Sequence, residues 1–399
     1  MASLKLSFDP SRLLAYTLTF AVLAGFLGQT VLIWTGYRFS TLILAIALLG
    51  FSTIVVVLRK SITVQISYRL FVSSLFFIFV YTSLLWTTST AYANEKVLAF
   101  FACFFIYLAA SVLPSNFHET TLKVFFTSTV VIFLISVLGL VSKSQLFYSL
   151  GASERSIYLS AGYYGGAALV LLGWMKWFKS RFAFSLLVTV LCLGLLVTGA
   201  RGPLIFSIFI FILGLTINRQ VSKLIIIIIL STLSSLALGF LLQLESTSFL
   251  LERSFDRFGL LFDKEFDSRS DLWDSISLWQ SNEFSMFFGH GVGSFGIEYF
   301  GFDERAYPHN IFLELLVELG LIGFLLFMIP LCFGFISAVR YFRSPIISAY
   351  SALLIYELFN LMKSFTLSDA RTLFFVLGIL IGFRAVSTSH PQIVSYPRE

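Results

Sequence analysis

The sequence predicts an all-α, polytopic membrane protein with about twelve membrane-spanning helices and one long water-exposed loop. Hydrophobic residues make up 58% of the 399 residues and charged residues only 12%, with 47 phenylalanines. A soluble domain of this length could not cover so much apolar side chain with polar surface, whereas lipid accommodates it. Apolar runs of roughly 20 residues follow one another along the chain, and one polar segment, residues 244–308, interrupts them.

The spans are placed by reading the apolar runs between charged residues, since crossing the hydrocarbon core takes roughly 20 residues. The predicted spans are residues 13–34, 41–58, 70–88, 97–114, 124–142, 157–178, 182–199, 203–217, 222–243, 311–339, 345–363 and 372–388. Span 203–217 is short, and span 311–339 is long enough to include a tilted or broken start. The predicted organisation is therefore transmembrane helices in 1–243, a long water-exposed loop with amphipathic helices in 244–308, and three further helices with a polar tail in 309–399.

Lysine and arginine in the short connections predict the orientation, because basic residues are retained on the cytoplasmic side. With the N-terminus inside, the cytoplasmic segments hold fifteen basic residues and the opposite short loops hold seven. The seven are Arg38, Lys96, Lys143, Arg155, Arg201, Lys363 and Arg371. Both termini are thus expected to be cytoplasmic, and the long loop is expected to face outward.

The long loop differs chemically from the rest of the chain, since it contains twelve of the 21 acidic residues. Two amphipathic stretches are predicted to lie along the membrane surface and cover a cavity. In the first, apolar residues at helical spacing lie within 250–261; in the second, Ser268 caps a helix on which Leu272, Trp273, Ile276 and Trp279 share one face. The turn from Gly289 to Gly293 lacks the ending of a phosphate-binding loop, so a tight connection is the better interpretation.

Several function classes are disfavoured by composition. The net charge of +6 reflects basic residues held at the cytoplasmic side and does not indicate nucleic-acid binding. The three cysteines lie inside separate predicted spans, so apolar packing is favoured over a disulfide or a metal site. The four histidines are scattered without metal-ligand spacing, and no metal or other cofactor is expected.

Three cationic or titratable residues are brought to the outer face by the predicted topology. Arg201 follows span seven, Arg269 opens the second loop helix, and His309 lies where the chain returns to the membrane. Each has a plain alternative: Arg201 could extend to the interface, Arg269 could be a solvated helix charge, and His309 could be structural. Together they suit an anionic pyrophosphate, because guanidinium groups bind phosphate in a bidentate fork and a histidine can accept a proton from a sugar hydroxyl.

Glu314 and Glu318 lie four residues apart on the same helix face, just beyond His309. They could orient the histidine or bind the acceptor, or they could pair with a nearby arginine or lysine. The sequence leaves these alternatives open.

Around these residues the sequence resembles the O-antigen ligase and O-antigen polymerase superfamily of bacterial envelope glycosyltransferases. The most diagnostic stretch is His309-Asn310-Ile311-Phe312-Leu313-Glu314, followed by Glu318-Leu319-Gly320-Leu321-Ile322-Gly323. Arg269 with Trp273 and the glycine-rich segment at 288–295 match the spacing of the family. The Thr-Gly-Ala-Arg-Gly run at 198–202 resembles its arginine motif, although Ala200 stands where the family often has serine. The specific matches cover about 198–323.

The resemblance implies an inverting, metal-independent membrane glycosyltransferase of the GT-C type in the bacterial inner membrane. Its donor would be an undecaprenyl-diphosphate-linked oligosaccharide, and its acceptor would be another lipid-linked repeat unit or lipid A-core, as in lipopolysaccharide biosynthesis. By the same resemblance, Arg201 and Arg269 would neutralise the diphosphate leaving group and His309 would act as base or positioning group. Asn310, Glu314 and Glu318 would be further substrate-binding residues, and a chain-length regulator would be a possible partner.

The repeat-unit polymerase is favoured slightly over the O-antigen ligase, since both use the same motifs. A transporter or flippase of lipid-linked glycans is the rival from another class. Transporters usually place ionisable sites near the bilayer midplane in repeated halves, whereas these charges gather at one face. A non-catalytic assembly protein is the third interpretation.

Overall fold

The computed structural model describes residues 9–37, 41–58, 67–142, 157–220, 272 and 274–383. Within these ranges the chain is helical, without any β-strand. The described helices, numbered in chain order, are α1 (Pro10–Thr35), α2 (Thr41–Leu58), α3 (Tyr68–Thr82), α4 (Tyr92–Ser111), α5 (His118–Ser142), α6 (Ile157–Trp174), α7 (Arg181–Thr198), α8 (Arg201–Ile217), α9 (Ile276–Trp279), α10 (Glu283–Phe288), α11 (Ile311–Arg340), α12 (Pro345–Leu361) and α13 (Arg371–Gly382).

Helices α1–α8 and α11–α13 each overlap one predicted span. Seven helical segments in the described ranges are long and apolar enough to cross a membrane, and four shorter apolar helices, α2, α8, α12 and α13, accompany them. The all-helical, membrane-spanning fold class is confirmed. The predicted span 222–243 lies outside the described residues, so the count of about twelve stays a prediction.

Large apolar side chains on the outside of the bundle explain why this fold needs lipid. Five large apolar side chains on α2, α3, α5 and α8 are each more than half exposed: Ile43, Phe51, Phe71, Leu138 and Phe209. In water such a surface would be an aggregation hazard, but in a bilayer it faces hydrocarbon.

Helix α6 is the centre of the bundle. Fifteen of its eighteen residues are buried, and it packs against α5, α7, α8 and α12. Its sequence contains no charged residue and is rich in glycine and alanine, which allows close helix approach where lipid supplies no hydrophobic driving force. The start of α8 and the end of α12 are thereby held side by side.

The helix ends follow local sequence signals. The Asp9 carboxylate accepts a hydrogen bond from the Ser11 amide at 3.0 Å, and Pro10 opens α1. The Ser180 hydroxyl caps the start of α7, and Gly199, in the left-handed conformation, caps its end. Helix α8 begins two residues after Gly199. Several predicted boundaries differ from the helices by a few residues, and one changes an assignment. Helix α4 begins at Tyr92, not near residue 97, so Lys96 belongs to the helix and not to the connection before it.

The loop from 272 to 308 packs onto the bundle. Trp279 and Leu278 of α9 and the preceding Leu272 contact a cluster of Phe295, Leu313 and Val317. Ile276, which was predicted to share the apolar face, is instead 44% exposed, because α9 is a single turn and Leu278 takes its place. The first amphipathic stretch, at 250–261, lies outside the described residues. So do Ser268, Arg269 and Trp273 of the second stretch.

Candidate functional site

Arg201 is the first residue of α8 and is half-buried. The turn that delivers it is packed tightly against α6, since a Cβ placed on Gly162 would lie 2.3 Å from the Ala200 Cβ. The Thr198 hydroxyl accepts a hydrogen bond from the Ala200 amide at 3.4 Å. The arginine therefore projects from a fixed turn at one end of the bundle.

His309 lies two residues before the start of α11 and has a backbone φ of 55°, in the left-handed region. Non-glycine residues rarely adopt this conformation, and it persists only where the surroundings determine it. The next residue, Asn310, accepts hydrogen bonds from the Phe312 and Leu313 amides at 3.0 and 3.3 Å and so caps α11. This role of Asn310 is structural, and it fixes the position of the histidine beside it.

Tyr307 connects His309 to the segment after α12. The two rings lie 4.5 Å apart between centroids, and the Tyr307 hydroxyl donates to the Ser364 carbonyl at 3.3 Å. Burial raises the pKa of the Tyr307 phenol, which keeps its proton for this bond. His309 is thereby tied, through one aromatic neighbour, to residues 363–364.

The same segment contacts the turn of Arg201. A Cβ placed on Gly202 would lie 3.7 Å from Lys363 Cδ, so the aliphatic part of that lysine passes over the first turn of α8. The start of α8, the end of α12 and the start of α11 thus meet at one end of the bundle. Two of the three residues predicted to share a site, Arg201 and His309, belong to this end, and the third, Arg269, lies outside the described residues.

Glu314 and Glu318 are both paired with Lys96. The Lys96 ammonium lies 2.5 Å from Glu314 Oε1 and 2.7 Å from each oxygen of Glu318, and all three side chains are at most 2% exposed. Of the alternatives left open by the sequence, these contacts favour pairing with a lysine. Each charge is buried, and each has a partner.

The carboxylates of Glu314 and Glu318 also accept hydrogen bonds from two loops. Glu314 accepts from the Thr366 hydroxyl at 2.5 Å and from the Leu367 amide at 3.2 Å, in the connection between α12 and α13. Glu318 accepts from the Gly293 amide at 2.9 Å, in the glycine-rich turn. Lys96, Glu314 and Glu318, called here the ion triad, therefore connect α4, α11 and the two loops.

The glycine-rich turn is pressed against a break in α11. Gly320 has φ 65° and ψ −169° inside this helix, and the Gly291 amide donates to the Glu318 carbonyl at 2.8 Å. A Cβ on Gly289 would lie 2.3 Å from the Glu318 carbonyl carbon, and one on Gly320 would lie 2.5 Å from the Gly289 nitrogen. The turn is the tight connection that was expected, and it also supplies donors to carbonyls freed by the helix break.

Asp303 fastens the last part of the loop to α4. Its carboxylate accepts hydrogen bonds from the Ala91 and Thr90 amides at 2.8 and 2.7 Å and from the Ser89 hydroxyl at 2.6 Å. These donors, led by the Ala91 amide, lower the pKa of Asp303 well below its usual range. Two residues further, Arg305 pairs with Asp369 at 2.8 Å. The segment leading to His309 is therefore anchored to both α4 and the start of α13.

Sequence interpretation missed Lys96 and Asp303 as parts of this arrangement. A partial signal existed, since Glu314 and Glu318 lie four residues apart within a predicted span and buried carboxylates need a cationic partner, but Lys96 was placed just outside its own span. No comparable signal pointed to Asp303, because the helix that it caps begins more than 200 residues earlier.

The described residues contain no group of three or more His, Cys, Asp or Glu side chains that could hold a metal ion. The polar side chains at this end of the bundle include Arg201, Lys363, His309 and the carboxylates of Glu314 and Glu318.

These features define a class: a polytopic helical membrane protein with buried ion pairs and basic residues gathered at one end of its bundle. Residues 186–328 match the family model described as O-antigen ligase. This match supports the resemblance to the O-antigen ligase and polymerase superfamily that the motifs indicated. A search of curated proteins finds no significant match. The matched segment contains Arg201, Arg269, His309, Glu314 and Glu318.

Proposed function

We propose that this protein is an inverting glycosyltransferase that takes its glycan from undecaprenyl diphosphate and acts as the polymerase of O-antigen or related surface-polysaccharide repeat units. The observation that carries the proposal is the meeting of the Arg201 turn with the His309 segment at one end of the bundle, through Lys363, Ser364 and Tyr307. Both residues lie in the segment that matches the O-antigen ligase family.

In the proposed reaction, a hydroxyl oxygen of the acceptor sugar attacks the anomeric carbon of the donor. The bond from that carbon to the diphosphate oxygen breaks with inversion, and undecaprenyl diphosphate leaves. His309 accepts the hydroxyl proton or positions the acceptor, and Arg201 and Arg269 neutralise the charge on the leaving group. Diphosphate is a good leaving group, so charge stabilisation contributes more than proton removal.

Glu314 and Glu318 were expected to bind substrate. Their burial and their bonds to Lys96 support a different role, which is to hold the start of α11 in place. His309 and Asn310 lie directly before this helix start, so their position depends on it. In this proposal the ion triad sets the position of the histidine and does not contact the glycan.

The second candidate is the O-antigen ligase, which transfers the glycan to lipid A-core, and the description of the matching family favours it. Deleting the gene separates the two activities in a strain that makes lipopolysaccharide. Lipopolysaccharide carrying a single repeat unit indicates the polymerase, and bare core indicates the ligase.

A transporter or flippase remains the rival from another class. Purified protein in lipid, supplied with lipid-linked donor and acceptor, distinguishes it from both enzymes. A longer glycan or a glycosylated acceptor made without any other protein supports transfer, whereas movement of intact donor across the bilayer without product supports the flippase.

We further propose that the protein lies in the bacterial inner membrane with both termini in the cytoplasm and residues 244–308 in the periplasm. The excess of basic residues in the alternate connections supports this orientation. A cysteine introduced at Glu304, which is exposed, tests it in a variant without the native cysteines. Labelling by a membrane-impermeant maleimide in intact spheroplasts is expected, and labelling only after lysis would reverse the orientation.

A further inference from the structure

We propose that Lys363 is a third cationic ligand of the donor diphosphate, beside Arg201. This inference rests on the proposed function and adds to it a residue from the connection between α12 and α13, outside the matched family segment.

The position of Lys363 is the first support. It follows α12 by two residues, and its Cδ lies 3.7 Å from where a Cβ of Gly202 would stand. Because Gly202 has no side chain, the lysine stem can lie against the turn that carries Arg201. The lysine is half-buried, so its stem is held by packing.

The neighbouring backbone supplies the second support. The carbonyl of Ser364 accepts the Tyr307 hydroxyl at 3.3 Å, and the Tyr307 ring lies 4.5 Å from the His309 ring. Lys363 thus contacts the turn of the arginine proposed to hold the leaving group, and the residue after it is joined through Tyr307 to the histidine proposed to face the acceptor.

The chemistry suits a diphosphate, whose charge exceeds what one arginine can neutralise. Arginine binds a phosphate through its planar fork, whereas lysine binds as a compact point charge on a flexible stem. A lysine beside Arg201 would favour diphosphate over monophosphate, because its added charge acts on the second phosphoryl group. The predicted effect is on donor affinity more than on turnover.

The test measures binding of undecaprenyl diphosphate and of undecaprenyl monophosphate to the full-length protein in nanodiscs. We expect Lys363→Gln to weaken diphosphate binding about tenfold and to reduce the preference over monophosphate, with Lys363→Arg retaining most of the affinity. In the transfer assay, Lys363→Gln should raise the KM for donor and change kcat little. The matched control is Lys179→Gln, an exposed lysine beyond the end of α6 and away from this site.

Each outcome of these measurements either supports or overturns the assignment of Lys363. Selective loss of diphosphate binding in Lys363→Gln, with rescue by arginine and no effect at Lys179, supports the assignment. Wild-type binding and KM in Lys363→Gln overturn it while the proposed function stands, as does an equal loss for both lipids in every Lys363 variant, which indicates a structural role. If the wild-type protein neither binds undecaprenyl diphosphate nor transfers glycan, the proposed function fails and this inference fails with it.

Discussion

The ammonium of Lys96 lies 2.7 Å from both carboxylate oxygens of Glu318, and the two side chains are 1% and 2% exposed. Glu314 shares the same lysine, so one positive charge and two carboxylates are buried together near the start of α11. Hydrogen bonds from Thr366 and Gly293 offset part of the negative excess. Removing the only cation of this group would leave two buried carboxylates facing each other.

Replacing Lys96 is therefore expected to be costly. We predict that Lys96→Met lowers the free energy of unfolding by about 3–5 kcal/mol, since it leaves uncompensated buried charge. Thermal unfolding in detergent or nanodiscs measures the effect. The control is Lys123→Met, whose partner Glu119 is four residues away and whose side chain is 54% exposed; it should cost about 0.5 kcal/mol or less. Equal stability of the two variants would contradict an essential ion triad.

Gly320 is expected to tolerate no side chain. Its φ of 65° disfavours other residues, and a Cβ would lie 2.5 Å from the backbone of Gly289 and of Phe287. Gly320→Ala should separate the glycine-rich turn from α11 and lower the unfolding temperature by several degrees or prevent folding. Gly50→Ala in α2 is the matched control, because a Cβ there meets nothing within 4 Å. Similar unfolding temperatures for both variants would show that the turn adapts.

Asp303 should contribute stability in a pH-dependent way. Asp303→Ala removes the acceptor for the Ala91, Thr90 and Ser89 donors and should cost about 1–2 kcal/mol, as expected for loss of a helix cap. Because the pKa of the folded carboxylate is lowered, its contribution is complete above the ordinary aspartate pKa and is lost as pH falls toward the folded value. The difference between wild type and variant should thus be constant from about pH 6 to 8 and shrink below about pH 4.

Glu304→Ala provides the comparison for Asp303, since Glu304 is the adjacent acidic residue and is exposed. Unfolding of the three proteins is followed by near-UV circular dichroism between pH 3 and 8. A stability difference for Asp303→Ala that does not shrink at low pH would rule out the charged cap as its cause.

The sequence predicted the helices of the bundle well and the contacts between them poorly. Spans such as α2 and α6 begin where predicted because an apolar run bounded by charge determines them. The length of span 311–339 allowed for a broken start, but the position of the break at Gly320 was not predicted, because Glu-Leu-Gly-Leu is compatible with a continuous helix. The partner of Lys96 is 218 residues away in sequence, and such a separation can be resolved only by the fold.

Within the candidate site, local motifs located Arg201 and His309, but not what joins them. The link runs through Tyr307, Ser364 and Lys363, which have no pattern of their own in the sequence. The left-handed backbone of His309 was not predicted either; its neighbours are Tyr307, whose ring contacts the histidine ring, and Asn310, which caps α11.

The arginines of the proposed diphosphate site are expected to be essential for transfer. Arg201→Ala and Arg269→Ala should each reduce kcat/KM by about 100-fold or more, as expected for loss of charge stabilisation at a leaving group, while membrane insertion is unchanged. The control is Arg181→Ala, because Arg181 also opens a helix, α7, but at the opposite end from Gly199 and Arg201. Wild-type activity of either variant would remove that arginine from the site.

Replacing His309 tests the proposed role of this residue at the acceptor hydroxyl. His309→Ala should fold, because Asn310 still caps α11, and should be nearly inactive in transfer from lipid-linked donor to acceptor. Binding of undecaprenyl diphosphate should persist, since the residues proposed to hold the diphosphate are Arg201, Arg269 and Lys363. A folded variant that binds donor but does not transfer places the histidine at the acceptor hydroxyl. Should the variant keep a substantial rate, its unusual backbone conformation would serve only to shape the turn before α11, and the proton would have to leave by another route.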